Sequence, residues 1–181
     1  MRWADRLLQQ WRARKARPWI PAGARLLDIG CHQGEFLDSL AGRIGPSVGI
    51  DPLAVPRETP SYRVIGEAFA GRLPFADATF DAVTALAVIE HLPARQAFIG
   101  ECRRILCRNG RVVLTVPAPI VDHLVQWLIR FGFADGMSLE EHTGFDPGSL
   151  PSDFGCRGFS LERWDRFQLG CNHLMVFRLM G

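Results

Sequence analysis

An apolar run that ends in a glycine turn constrains this chain more than any other feature: Leu26-Leu27-Asp28-Ile29-Gly30-Cys31-His32-Gln33-Gly34-Glu35-Phe36-Leu37. Arg25–Ile29 reads as a strand and Gly34–Ala41 as a helix, so the turn joins them into one strand–turn–helix unit. Glycine lets the backbone approach a ligand closely, and the free N–H groups of the next helix favour an anion such as a carboxylate or phosphate. Two phosphate signatures are excluded. The dinucleotide fingerprint G-x-G-x-x-G would fall on Gly30, His32 and Glu35, and a phosphate loop needs Gly-Lys-Ser/Thr, which the chain lacks.

Strand-like and helix-like runs alternate along the rest of the chain. Ser47–Asp51, Tyr62–Ile65, Asp81–Leu86 and Arg111–Val116 read as strands, and Asp81–Leu86, apolar on both faces, is expected at the sheet centre. Pro52–Pro60 contains three prolines and cannot hold a full helix. Pro93–Cys107 has helical spacing through Phe98, Cys102, Ile105 and Leu106, with Asn109-Gly110 as its stop signal. After Pro117 and Pro119, Ile120–Phe131 reads as an apolar helix and Gly132–Gly158 as a loop. Two closing runs, Arg163–Leu169 and His173–Leu179, read as a β-hairpin joined by Gly170-Cys171-Asn172. The expected fold is one α/β sandwich: a doubly wound, Rossmann-like sheet of seven strands, mostly parallel, with a C-terminal antiparallel hairpin.

Length and composition agree with a single domain: 181 residues, 48% hydrophobic and 22% charged. The longest apolar run, Ala85–Ile89, is far short of the ~18 residues of a membrane-spanning helix. The basic N-terminus lacks an apolar signal region, so a cytoplasmic protein is expected. Five scattered cysteines without a CxxC pair point to reduced thiols, with no metal site or disulfide framework.

The net charge of +2 hides an asymmetry: residues 1–25 hold seven cations against Asp5 alone, and Lys15 is the only lysine in the chain. Residues 1–17 read as a basic amphipathic helix with Trp3, Leu7, Trp11 and Leu8 on one stripe, ended by Pro18 and Pro21. The stripe is expected to pack on the domain. Contact of residues 1–17 with an anionic membrane surface is the second reading.

The glycine-turn segment resembles motif I of the class I S-adenosylmethionine-dependent methyltransferases, and four further matches follow in that family's order. They are Val48-Gly49-Ile50-Asp51; Gly66-Glu67-Ala68; Leu73-Pro74-Phe75-Ala76-Asp77-Ala78-Thr79-Phe80-Asp81-Ala82-Val83; and Glu90-His91-Leu92. Arg103–Leu106 with Gly110–Leu114, and the closing Phe167–Leu174, also match the family's later elements. The resemblance spans roughly residues 20–180 and implies a methyltransferase with S-adenosyl-L-methionine as cofactor. It assigns Asp28, Gly30, Cys31, His32 and Gly34 to the cofactor turn. Asp51 and Pro52 fall to the ribose, Glu67 and Ala68 to the adenine, and Leu86 to the wall. It implies a single methyltransferase-like domain over 1–181, with 1–20 an N-terminal basic helix and 117–158 a substrate-recognition insertion.

His32 departs from the family, which has glycine there; histidine tolerates positive φ better than most residues, so an outward-turned His32 would preserve the turn. Asp28 and Glu67 also have plain structural readings, as a turn residue and a helix-start carboxylate. His91 and His142 are the candidate bases, each set against a surface or structural role, because transfer from a sulfonium needs a base only for a protonated nucleophile. Ala85-Leu86-Ala87-Val88 stands where amino-methylating enzymes of adenine and glutamine carry Asn/Asp-Pro-Pro-aromatic, and no Pro-Cys exists for cytosine chemistry. The expected acceptor is a small molecule or a lipid- or carrier-linked intermediate, and nucleic acid is disfavoured. Two alternatives stay open: a non-catalytic binding or regulatory module of the same fold, and an RNA methyltransferase using the Arg-rich helix.

Overall fold

A computed structural model describes residues 3–118 and 145–181; Ile120–Phe131, His142 and much of the 117–158 insertion lie outside the described residues. The elements are α1 (Trp3–Ala16), β1 (Leu26–Ile29), α2 (Glu35–Leu40), β2 (Ser47–Ile50), β3 (Arg57–Glu58), β4 (Tyr62–Ile65), β5 (Phe80–Leu86), α3 (Arg95–Ile105), β6 (Leu106–Pro117), α4 (Leu150–Gly155), β7 (Phe159–Phe167) and β8 (Asn172–Leu179). They build one sheet in the order β3-β4-β2-β1-β5-β6-β8-β7. Strands β4, β2, β1, β5 and β6 are parallel, while β8, β7 and the edge strand β3 are antiparallel.

Alternation along the strands divides the core into two layers. Leu27, Ile29, Val83, Val112 and Leu114 face Phe98, Ile99, Cys102 and Ile105 of α3 and Leu150 and Phe154 of α4. Leu26, Ala82, Val113 and Val176 face Phe36, Leu37 and Leu40 of α2, with Ala16 and Ile20. Strand order reverses at β1, which sends the chain outward to β2 and β4 and later back to β5 and β6. In open α/β sheets ligands bind at such a point, beyond the carboxyl ends of the strands.

Two boundaries correct the sequence reading. The sheet has eight strands rather than seven, because Arg57–Glu58 in the proline-rich stretch pairs with β4 as a two-residue edge. Helix α3 ends at Ile105, so Asn109-Gly110 falls inside β6. Leu106 already pairs with Phe80, and Asn109 at φ 63° lies by a register shift between Phe80 and Ala82. Sheet pairing here overrides a local stop signal. The closing hairpin is present with its turn at Gln168–Cys171, beginning two residues earlier than the expected Gly170. All five cysteines are free; Cys31 and Cys102 are buried, and Cys156 is exposed.

Among the described residues, no helix is long and apolar enough to cross a membrane.

Candidate functional site

The turn after β1 is held by its neighbour strand. Gly30 and Cys31 both donate their N–H to Ile50 O, at 2.8 and 3.2 Å, and Gly34 N–H closes onto Cys31 O at 2.8 Å. Gly30, His32 and Gly34 have φ of 73°, 51° and 87°, the left-handed region that suits glycine. A Cβ on Gly30 would lie 2.3 Å from Val88 Cγ2, and one on Gly34 would lie 3.0 Å from Arg57 Nη2 and 3.1 Å from Val64 Cγ2. His32 manages the same backbone region with its side chain half-exposed, its Nδ1 2.8 Å from Glu35 Oε1. Asp51, at the end of β2, anchors the turn: Oδ2 accepts from His32 N–H at 2.9 Å and Oδ1 from Leu53 N–H at 2.8 Å.

Asp28 lies directly beneath. It is 2% exposed, and Thr84 of β5 donates to its Oδ1 at 2.6 Å. Burial pushes its pKa up to about 7; the Thr84 hydroxyl opposes this, and the charges of Asp51 and Glu35 add to it. Cys31 is likewise pushed up to about 12 by burial, which keeps it a thiol and no nucleophile.

Above the turn opens a cavity of about 810 Å³, floored by Asp28, Gly30, Cys31, His32 and Leu86 and walled by Gln9, Arg12 and Ala13 of α1. Arg12 Nε is buried with no hydrogen-bond partner among the described residues. Burial lowers the pKa of Arg12, while the charge of Glu90 works in the opposite direction. The polar groups at the cavity are therefore a buried carboxylate, two flanking carboxylates and one guanidinium with a spare donor, the N–H groups of residues 30–34 being already bonded within the protein. S-adenosylmethionine presents a sulfonium and an ammonium for the acids, a carboxylate for the guanidinium and a ribose diol for Asp51. These residues fit that group.

The predicted residues do not all converge. Asp28, Gly30, Cys31, His32 and Leu86 line the cavity. Gly34 and Asp51 support its floor, and Pro52, Glu67 and Ala68 are exposed past the ends of β2 and β4. His91 closes a short 3-10 turn, Ile89–His91, just after β5; it is exposed and is not part of the cavity lining. Sequence reading missed Thr84, Gln9 and Arg12. The last two stand on the polar face of α1, which a solvent-facing reading of the amphipathic pattern sets aside.

The longest motif match proves structural. Arg104 of α3 donates to Phe75 O and Asp77 Oδ1 at 2.7 Å, to Leu73 O at 3.2 Å and to Glu101 Oε1 at 2.6 Å. Glu101 in turn accepts from Leu73 N–H at 2.7 Å. Asp81 accepts from the Arg25 backbone and guanidinium, at 2.9 to 3.1 Å. Leu73–Val83 therefore clamps a loop to α3 and β1, away from the cavity.

Residues 27–114 match the methyltransferase-domain family. The ubiquinone biosynthesis O-methyltransferase of Pseudomonas aeruginosa is 36% identical over 106 residues, covering 52% of this chain and 44% of that protein. The 27-O-demethylrifamycin SV methyltransferase of Amycolatopsis mediterranei is 37% identical over 115 residues, covering 55% of this chain and 42% of that protein. The chain thus spans less than half the length of these curated relatives. In fold it is similar to the Burkholderia thailandensis 1,6-didemethyltoxoflavin-N1-methyltransferase, solved with its substrate and S-adenosylhomocysteine. The TM-score is 0.68 at 16% identity, over 99% of this chain and 81% of that one. Over residues 27–114, just under half of its length, the chain is thus similar to the methyltransferase-domain family, and its sheet shares the fold of that solved methyltransferase.

Proposed function

We propose that the chain binds S-adenosyl-L-methionine in the cavity beneath α1 and transfers its methyl group to a small-molecule or lipid- or carrier-linked acceptor. One observation carries the reading: a left-handed turn, anchored by Asp51, opens on a cavity whose floor holds the buried carboxylate of Asp28. The names of the relatives, which act in ubiquinone biosynthesis and on rifamycin and toxoflavin precursors, support the acceptor class.

When bound, the cofactor supplies an electrophilic methyl on a sulfonium. The chain's own residues supply position and charge. Asp28, ionised, offsets the positive charge of the ligand, and Thr84 fixes its carboxylate plane. Asp51 accepts from the ribose hydroxyls while its backbone bonds keep it oriented. Gly30 and Gly34 clear the backbone, and Arg12 offers Nε to the amino-acid carboxylate. Helix α1 covers the cavity and excludes water, which favours transfer over competing reactions. For an acceptor that arrives protonated, the candidate base is His91, on the short turn that follows β5 at the margin of the cavity lining, and residues 117–158 recognise that acceptor.

Titration calorimetry tests the reading. S-adenosylmethionine and S-adenosylhomocysteine both bind, and Asp51→Ala weakens binding by about 1–3 kcal/mol, the cost of losing hydrogen bonds to a charged acceptor. Absence of binding by either compound refutes it. His91→Ala leaves cofactor affinity unchanged and lowers turnover only.

A further inference from the structure

Helix α1 faces the opposite way from the packing its apolar stripe predicts. Its inward side carries Gln9, Arg12, Ala13 and Ala16. Leu7, Leu8 and Trp11 lie on the outer side, 54%, 42% and 45% exposed. Leu7 and Trp11 are one turn apart on a single ridge, about 40° from each other around the axis. Arg6, Arg14 and Lys15 are exposed on the same helix.

A second feature adjoins this face. The hairpin turn Phe167–Gly170 is closed by Gly170 N–H to Phe167 O at 3.1 Å, with Gln168 and Leu169 at φ 51° and 57°. Turns with two left-handed central residues take Asn and Gly; leucine there is strained, and its side chain is fully exposed, at 101%. Gln168 Nε2 donates to Leu8 O at 3.0 Å and fixes the turn beside the helix. The acid of the adjoining groove, Asp165, accepts from Arg163 Nε at 2.7 Å and does not neutralise the helix cations.

We propose that Leu7, Leu8, Trp11 and Leu169, flanked by Arg14 and Lys15, form a surface that docks on an anionic lipid bilayer. Leucine and tryptophan enter the headgroup boundary, and the cations meet lipid phosphates. The chemistry selects this occupant over the others. A second copy of the same face would set cations against cations under two-fold symmetry. Trp11 alone offers a flat face on which a single-stranded base could stack, and the three leucines around it offer none for its neighbours. The inference stands independently of the methyl-transfer reading.

Flotation of the full chain with vesicles decides it. Binding is expected to phosphatidylcholine mixed with phosphatidylglycerol and not to phosphatidylcholine alone, and it weakens as salt rises. The pair R14Q/K15Q lowers partitioning by about fivefold per charge. L7E and L169E each abolish it, and for L169E the urea midpoint stays at or above the wild-type value, since that side chain is fully in water while Leu7 is half covered. Wild-type protein that ignores the mixed vesicles overturns the proposal, whether residues 119–144 or a second copy covers the face. Vesicle binding unchanged in both L7E and L169E overturns it equally. So does salt-sensitive binding to single-stranded RNA without binding to vesicles.

Discussion

Replacing Asp28 with asparagine isolates the cost of keeping an ionised carboxylate in the cavity floor. Burial, with Asp51 and Glu35 nearby, holds the pKa of Asp28 at about 7 in the folded chain, against 3.8 for an ordinary aspartate. Because the folded value is raised, the folded chain retains a proton that the unfolded chain has already released between these two values. Stability from this group is therefore fullest at low pH and falls as pH rises through the window. The whole shift is worth about 4 kcal/mol once both states are ionised. Roughly 1.6 kcal/mol of it is already lost at about pH 5, so wild type loses a further ~2.6 kcal/mol by about pH 8. Asparagine keeps an oxygen for the Thr84 hydroxyl and carries no charge. Urea denaturation of the ligand-free protein should show Asp28→Asn gaining on wild type by about 2–3 kcal/mol between these pH values. S-adenosylmethionine should bind the variant more weakly, since the countercharge is gone. A wild-type-to-variant difference that does not change with pH refutes the reasoning.

Other perturbations separate scaffold from site. Glu101→Ala removes a 7%-exposed carboxylate that Arg104 and the Leu73 N–H share; thermal or urea unfolding should show a loss of about 3 kcal/mol, with cofactor affinity per folded molecule unchanged. Leu169→Asn relieves a left-handed leucine and should raise stability by about 1 kcal/mol in the same assay. His32→Gly should retain cofactor binding in calorimetry, because the turn already has the backbone geometry glycine prefers and the His32 side chain points to Glu35.

The strands and the glycine turn were legible because both follow from local rules. Leu26 and Leu27 alternate onto opposite layers as period-two patterning requires, and Gly30 and Gly34 stand where left-handed backbone is needed. Features set by pairing across the sheet were not legible. Asn109-Gly110 is a fair helix stop by itself, but Leu106 was already committed to Phe80. The facing of α1 was also hidden, since periodicity reports that a stripe exists and not whether protein covers it. Among candidate site residues, Asp28 and Asp51 were readable from their strand-end positions. Arg12 was not: its role depends on a helix that precedes β1 by ten residues folding back over the turn, between Ala16 and Leu26. His91 follows β5 as the motif suggests, yet lies outside the cavity lining.

The clearance at Gly30 ties together two segments that are far apart in sequence. A single methyl there would lie 2.3 Å from Val88 Cγ2, so the valine already occupies the volume that the glycine leaves vacant. Val88 begins the short stretch that carries Glu90 and His91. Any side chain introduced at position 30 would thus push on the Val88–His91 loop as well as on the turn that follows β1. An alanine at 30 would meet two costs, the left-handed φ of 73° and the Val88 methyl, and a smaller residue at 88 relieves only the second.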